Sequence, residues 1–127
     1  MNVITTQERI EERHKQLLCL ETELMKPGKM VAGAIIHRYT VCGKEGCRCL
    51  EGQRHGPYPA LSRPNGKVVY LNRKLHTKIR PYVERYQSFQ RDLSQWRRIV
   101  RELDELFCEL RDDQLLKLEI VKSEIES

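Results

Sequence analysis

The chain has 127 residues, 39% hydrophobic, 32% charged, with a net charge of +5, a balance that excludes a thick globular core and suits one domain with long solvated helices. Residues 30–36 (MVAGAII) are too short to cross a bilayer, and the polar opening stretch has no apolar segment of secretory type, so a cytoplasmic protein with reduced thiols and no membrane partner is expected. The charge is concentrated: residues 26–82 carry twelve Lys/Arg against Glu45 and Glu51, while the flanks balance to −2 and −3, which points to an anionic partner for the middle of the chain.

Thr6 is placed to cap a first helix, with Glu8 and Arg9 in its first turn. Ile10, His14, Leu17, Leu18, Leu24 and Met25 follow at helical spacing until Pro27-Gly28, which gives a helix over 7–26. Cys19 on this segment and Cys108 on a later one read as small packing residues. Residues 33–41 are rich in β-branched and aromatic types and read as a strand leading into the cysteines. A hairpin follows, with strands over 58–63 and 67–71 and a turn at Pro64-Asn65-Gly66, where Pro presets φ and Gly accepts a positive φ.

Asn72 is placed to cap a long helix over 73–111, with Pro81 either kinking it or ending a short first piece near Arg80. Beyond Pro81, Phe89, Leu93, Trp96, Val100, Leu103, Phe107 and Leu110 keep a 4-3 spacing, a coiled-coil seam that calls for a partner helix. The first helix could fold back on it and bury Leu17, Leu20 and Leu24, but its shorter length favours a homodimer. The register fails at Gln114 and Lys117, so residues 115–126 form a separate helical segment. The fold class is α+β: an N-terminal helix, a small antiparallel β element of one strand plus a hairpin over 33–72, and a long C-terminal helical arm.

Cys42, Cys47, Cys49 and His55 fall within fourteen residues, separated by four, one and five. Three thiolates and an imidazole are a tetrahedral Zn²⁺ set of structural type. Gly43, Gly46 and Gly56 permit the tight turns such a site needs, and Lys44, Arg48 and Arg54 favour the thiolate state. His37 competes for the fourth position. An iron–sulfur cluster normally takes four cysteines. Glu45 or Glu51 could act as a base beside a catalytic zinc, but nothing else resembles a substrate pocket, so no enzyme is expected.

Lys44, Arg48, Arg54, Arg63, Lys67, Arg73, Lys74 and Lys78, with Arg80, gather on and around the β element. Such groups bind phosphates of DNA or RNA with salt-dependent affinity. Tyr39, Tyr58 and Tyr70 lie among them as candidates for base stacking, with half-buried packing on the sheet the preferred reading for Tyr39 and Tyr70. Arg73, Lys74, Lys78 and Arg80 open a helix against its own dipole, which hints at a role beyond stability.

The ordered set Arg38, Cys42-Gly43-Lys44, Cys47, Cys49 and His55-Gly56-Pro57-Tyr58, then a Gly-Lys turn and a basic strand, resembles a small uncharacterised bacterial and archaeal family. That family carries a Cys-Gly-Lys-x-x-Cys-x-Cys…His-Gly-Pro-Tyr signature and is often found near transposase and other mobile-element genes. The resemblance covers about residues 30–100; Pro59 stands where another aromatic would be expected. It implies a zinc-binding β element followed by a helix in a mobile-element or phage-like setting, and transfers no activity. The expected function is a zinc-stabilised nucleic-acid-binding accessory protein of a mobile element, phage or defence-related system, with a recombinase, transposase or nuclease as its larger partner. The alternative is a coiled-coil interaction protein that regulates a larger nucleic-acid enzyme or its RNA complex.

Overall fold

The computed structural model describes residues 3–41, 44–47, 52 and 54–126. Helix α1 (Thr6–Leu24) begins one residue before its expected start because Thr5, not Thr6, is the N-cap: its Oγ1 accepts from the Glu8 N–H at 3.2 Å. Thr5 and Glu8 have the S/T-x-x-E spacing of a capping box. Met25 is the C-cap, short of the expected Lys26, since the residue before a proline is driven out of the helical region.

Strands β1 (Ala34–Thr40), β2 (His55–Ser62) and β3 (Val68–Tyr70) form an antiparallel sheet in the order β1-β2-β3. The β1–β2 register runs from Ala34 opposite Ser62 to Thr40 opposite His55. β1 and β2 therefore form a hairpin, with the cysteine-rich stretch 41–54 between them in the sequence. In the β2–β3 connection the Gly66 N–H donates to the Arg63 carbonyl at 3.0 Å and the Arg63 N–H to the Lys67 carbonyl at 2.8 Å. Asn65 Oδ1 accepts from the Lys67 N–H at 3.0 Å, and Gly66 has φ +85°. These are the features of a three-residue loop, a turn followed by a glycine in the left-handed region.

Helix α2 (Arg73–Gln114) is capped by Asn72, whose Oδ1 accepts from the Leu75 N–H at 2.8 Å. Pro81 lies inside this helix and does not end it near Arg80. The missing N–H removes a bond only to the Thr77 carbonyl, and residues on both sides of Pro81 are fixed to the sheet. Ile79 and Val83 pack with Leu61, Leu71, Val31 and Ile35 in the core, where Ile35 and Leu61 are register partners. The segment before β1 is tied to α2 by the Val31 N–H to the Tyr82 carbonyl (3.1 Å), Gln87 Nε2 to the Gly33 carbonyl (2.6 Å) and Arg85 Nε to the Lys29 carbonyl (2.8 Å). After a break at 115–117, α3 (Leu118–Glu126) follows. Among the described residues no helix is long and apolar enough to cross a membrane.

The chain forms two compact units, Lys26–Arg91 and Met1–Met25 with Asp92–Ser127. In the second, Ile10, Arg13, Leu17, Leu20 and Leu24 make a half-buried row on α1. On α2 the covered leucine, isoleucine and tryptophan positions are Leu93, Trp96, Ile99, Leu103, Leu106 and Leu110, and Arg13 Nε meets Glu102 Oε2 at 2.6 Å. The first helix thus does cover this part of α2. The expected 4-3 seam divides: Leu103 is buried, Leu93, Trp96 and Leu110 are half-buried, and Val100 and Phe107 are exposed. Phe89, half-buried, belongs to the other unit. Ile99, absent from that seam, is 1% exposed. At ~100° per residue, Ile99, Leu103, Leu106 and Leu110 fall within about 60°, whereas Val100 and Phe107 lie roughly 80° off that line.

Truncating Ile99 to Ala is expected to cost about 2–5 kcal/mol in a denaturant melt, and Val100→Ala less than about 1 kcal/mol. Equal costs would show that the helix face is wrongly oriented.

Candidate metal centre and nucleic-acid interface

His55 is the first residue of β2 and stands opposite Thr40, the last residue of β1. Between this pair and the next, Arg38 opposite Tyr58, β1 advances two residues and β2 three. The extra residue is a bulge at Gly56-Pro57, where a proline without an N–H is tolerated because the ladder is already interrupted. Gly56 has φ +128°, and a Cβ there would lie 2.6 Å from the Arg38 carbonyl oxygen. The bulge re-aims His55, and its Nε2 lies 3.0 Å from Cys47 Sγ. Both side chains are half-buried.

A tetrahedral zinc with thiolate and imidazole ligands holds S and N about 3.5 Å apart, given bonds of ~2.3 and ~2.0 Å. The Cys47–His55 pair is within about half an ångström of that span, so a small opening admits a cation between them. Cys42 and Cys49 lie outside the described residues, two positions after Thr40 and two after Cys47 in the sequence. Among the described residues no group of three or more His, Cys, Asp or Glu is gathered for a metal; the described pair accounts for half of the expected donor set. His55, not His37, is the imidazole beside Cys47. His37 stands opposite Pro59 and meets His76 of α2 edge-on, with ring centroids 6.4 Å apart. Cys19 is exposed rather than packed, and Cys108 is half-buried.

Lys44, Arg54, Arg63, Lys67, Arg73, Lys74 and Lys78 are all exposed, and among the described residues none of them joins an ion pair. Arg48 lies outside the described residues. Arg80 engages Glu84 at 3.3 Å. The unit Lys26–Arg91 holds fourteen Lys/Arg against three Asp/Glu, for +11, and the rest of the chain nine against fifteen, for −6. The charge boundary read from sequence is therefore a structural one.

Alternation along β2 puts Tyr58, Ala60 and Ser62 on the face opposite the core residue Leu61. Their register partners add Arg38 and Ile36 from β1 and Val68 and Tyr70 from β3. Tyr58 is 44% and Tyr70 54% exposed, and Tyr39 is exposed as well. The half-buried packing read from sequence for Tyr39 and Tyr70 is not what the structure has: Tyr70 is exposed on this face with Tyr58, flanking the buried Ala60, and Tyr39 is exposed on the strand's other side. Arg38 belongs to that face; period-2 alternation between Arg38 and Ile36 is the signal that could have found it.

The family described as a domain of unknown function (DUF6788) matches residues 7–81. This is more than half of the chain, and the protein belongs to that family. The match spans α1, the sheet and the opening of α2 as far as Pro81. No curated protein and no solved structure matches the chain.

Gly56→Ala is expected to destabilise the protein by about 1–3 kcal/mol, through a forbidden φ and the approach to the Arg38 carbonyl. Urea denaturation reads this directly, and unchanged stability would remove the bulge from the account of how His55 is aimed.

Proposed function

We propose that the protein is a zinc-stabilised nucleic-acid-binding accessory protein of a mobile element, phage or defence-related system, acting in the cytoplasm. The observation that carries the reading is the set of seven exposed cations, in no ion pair among the described residues, on and around a sheet whose outer face presents Tyr58, Tyr70 and Arg38. The cations neutralise phosphates, and the tyrosines offer π-faces to unpaired bases, so the sheet suits DNA or RNA of relaxed sequence preference. Lys74 and Lys78, one turn apart on α2, extend the basic surface beyond the sheet.

Zinc in this reading is a fastener and not a catalyst. Cys42, Cys47, Cys49 and His55 would hold it, and a structural zinc contributes on the order of 10 kcal/mol of folding free energy in small domains. The 3.0 Å approach of Cys47 Sγ to His55 Nε2 supports it. A second reading, a coiled-coil interaction protein that regulates a larger nucleic-acid enzyme or its RNA complex, is favoured by the exposure of Val100 and Phe107. In either case a homodimer through that row, or docking to a recombinase, transposase or nuclease, would cover it.

The purified protein is expected to contain about one zinc per chain, with Cys47→Ser losing it and melting at least ~10 °C lower, while Cys19→Ser melts as wild type. Cys47→Ser with undiminished zinc and stability would sink the fastener. Short oligonucleotides should bind with a log–log salt slope no steeper than about −5, and Lys67→Ala should reduce its magnitude by about 0.7. No binding at ~10⁻⁴ M protein and low salt would exclude the nucleic-acid reading in favour of the second.

A further inference from the structure

A groove of about 550 Å³ runs between β1 and α2, wholly within the unit Lys26–Arg91, and neither the metal centre nor the outer sheet face uses it. From β1 it takes Ile35 and His37, and from α2 it takes His76, Arg80, Val83, Glu84 and, further along, Gln87 and Arg91. On α2 the polar members succeed one another every three or four residues, so they form one row along the helix.

The two ends of the groove differ. At the near end His37 and His76 meet edge-on with centroids 6.4 Å apart, and Arg80 lies one turn beyond His76. A neutral imidazole carries one N–H donor and a guanidinium five, so donors outnumber acceptors there whichever tautomers the histidines hold. Glu84 engages the Arg80 Nε at 3.3 Å, which leaves the terminal guanidinium nitrogens as donors. Beyond it Ile35 and Val83 supply an apolar wall. The volume lies in the range of small-ligand sites.

We infer that this groove binds the phosphomonoester of a nucleotide. The phosphate sits at His37, His76 and Arg80, the base or sugar lies against Ile35 and Val83, and Glu84 accepts from hydroxyl groups. The same phosphate can come from a free nucleotide or from the end of a strand held on the basic surface. Only the second source rests on the nucleic-acid reading.

The test titrates the full chain with AMP and with adenosine, following the imidazole C–H resonances of His37 and His76 by NMR. AMP should give saturable shifts, and its affinity should fall at least about tenfold in Arg80→Gln and in His76→Gln, as loss of a charge-assisted or paired donor requires. Lys122→Ala, on α3 in the other unit, should bind AMP as wild type does. Equal response to AMP and adenosine, undiminished AMP binding in Arg80→Gln, or no shift up to about 10 mM AMP would overturn the inference. A short oligothymidylate with a 5′-phosphate, compared with its 5′-hydroxyl form, separates the sources. Preference for the phosphorylated end, abolished by Arg80→Gln, assigns the groove to strand ends; AMP binding without it assigns free nucleotide. Failure of the nucleic-acid reading shows differently, as absence of binding by the hydroxyl-ended oligonucleotide.

Discussion

The closed end of the β1–β2 hairpin, where Cys47 Sγ meets His55 Nε2 at 3.0 Å, is the constraint on which the rest of this structure depends. The buried apolar residues lie toward the other end of the sheet, at Leu61, Leu71 and Val83. Between them and Thr40 the strands carry His37, Arg38 and Tyr39, all exposed, so apolar burial gives little help in holding the register there. A connection as long as 41–54 is uncommon without a clip, and closing it costs entropy that exposed strands do not recover. The thiol–imidazole contact and the Gly56-Pro57 bulge act at that point. The proposed zinc would turn the contact from a modest polar interaction into a covalent-strength closure, and would hold Lys44 and Arg54 beside the sheet.

In the unit Lys26–Arg91 the two faces of the sheet differ in chemistry: the inner packs on α2, and the outer presents exposed Tyr58, Tyr70 and Arg38 around the buried Ala60. Ile35 and Leu61 settle the inner face on Ile79 and Val83 of α2. The charge of +11 on this unit against −6 on the remainder makes the asymmetry electrostatic as well as chemical. In the other unit, α1 and the distal part of α2 bury Ile99 and Leu103, while the outward Val100 and Phe107 leave an apolar flank.

Much of the α+β architecture was legible because local chemistry and tertiary need agree at its boundaries. Pro64-Asn65-Gly66 marks the turn it makes, and Asn72 marks the start of α2. Other positions had two valid readings. The strand read from Tyr58 begins at His55, because Gly56 and Pro57 are both tolerated in a bulge. Pro81 left a kink and a helix end both open, and the helix runs through it because one lost hydrogen bond is small beside the packing of Ile79 and Val83. Ile99-Val100 and Leu106-Phe107 are adjacent apolar pairs, so two 4-3 rows overlap on α2 and spacing cannot choose between them; contact with α1 does. His55 was read as a ligand from spacing alone, whereas its rival His37 is drawn to His76, a neighbour nearly forty positions away that no local pattern reveals.

The proposed closure is most directly tested by X-ray absorption at the zinc edge on the full chain purified under reducing conditions. The account predicts a four-coordinate shell of three sulfurs at about 2.3 Å and one nitrogen at about 2.0 Å. A protein that folds without zinc, or a shell made of oxygen and nitrogen alone, would contradict it.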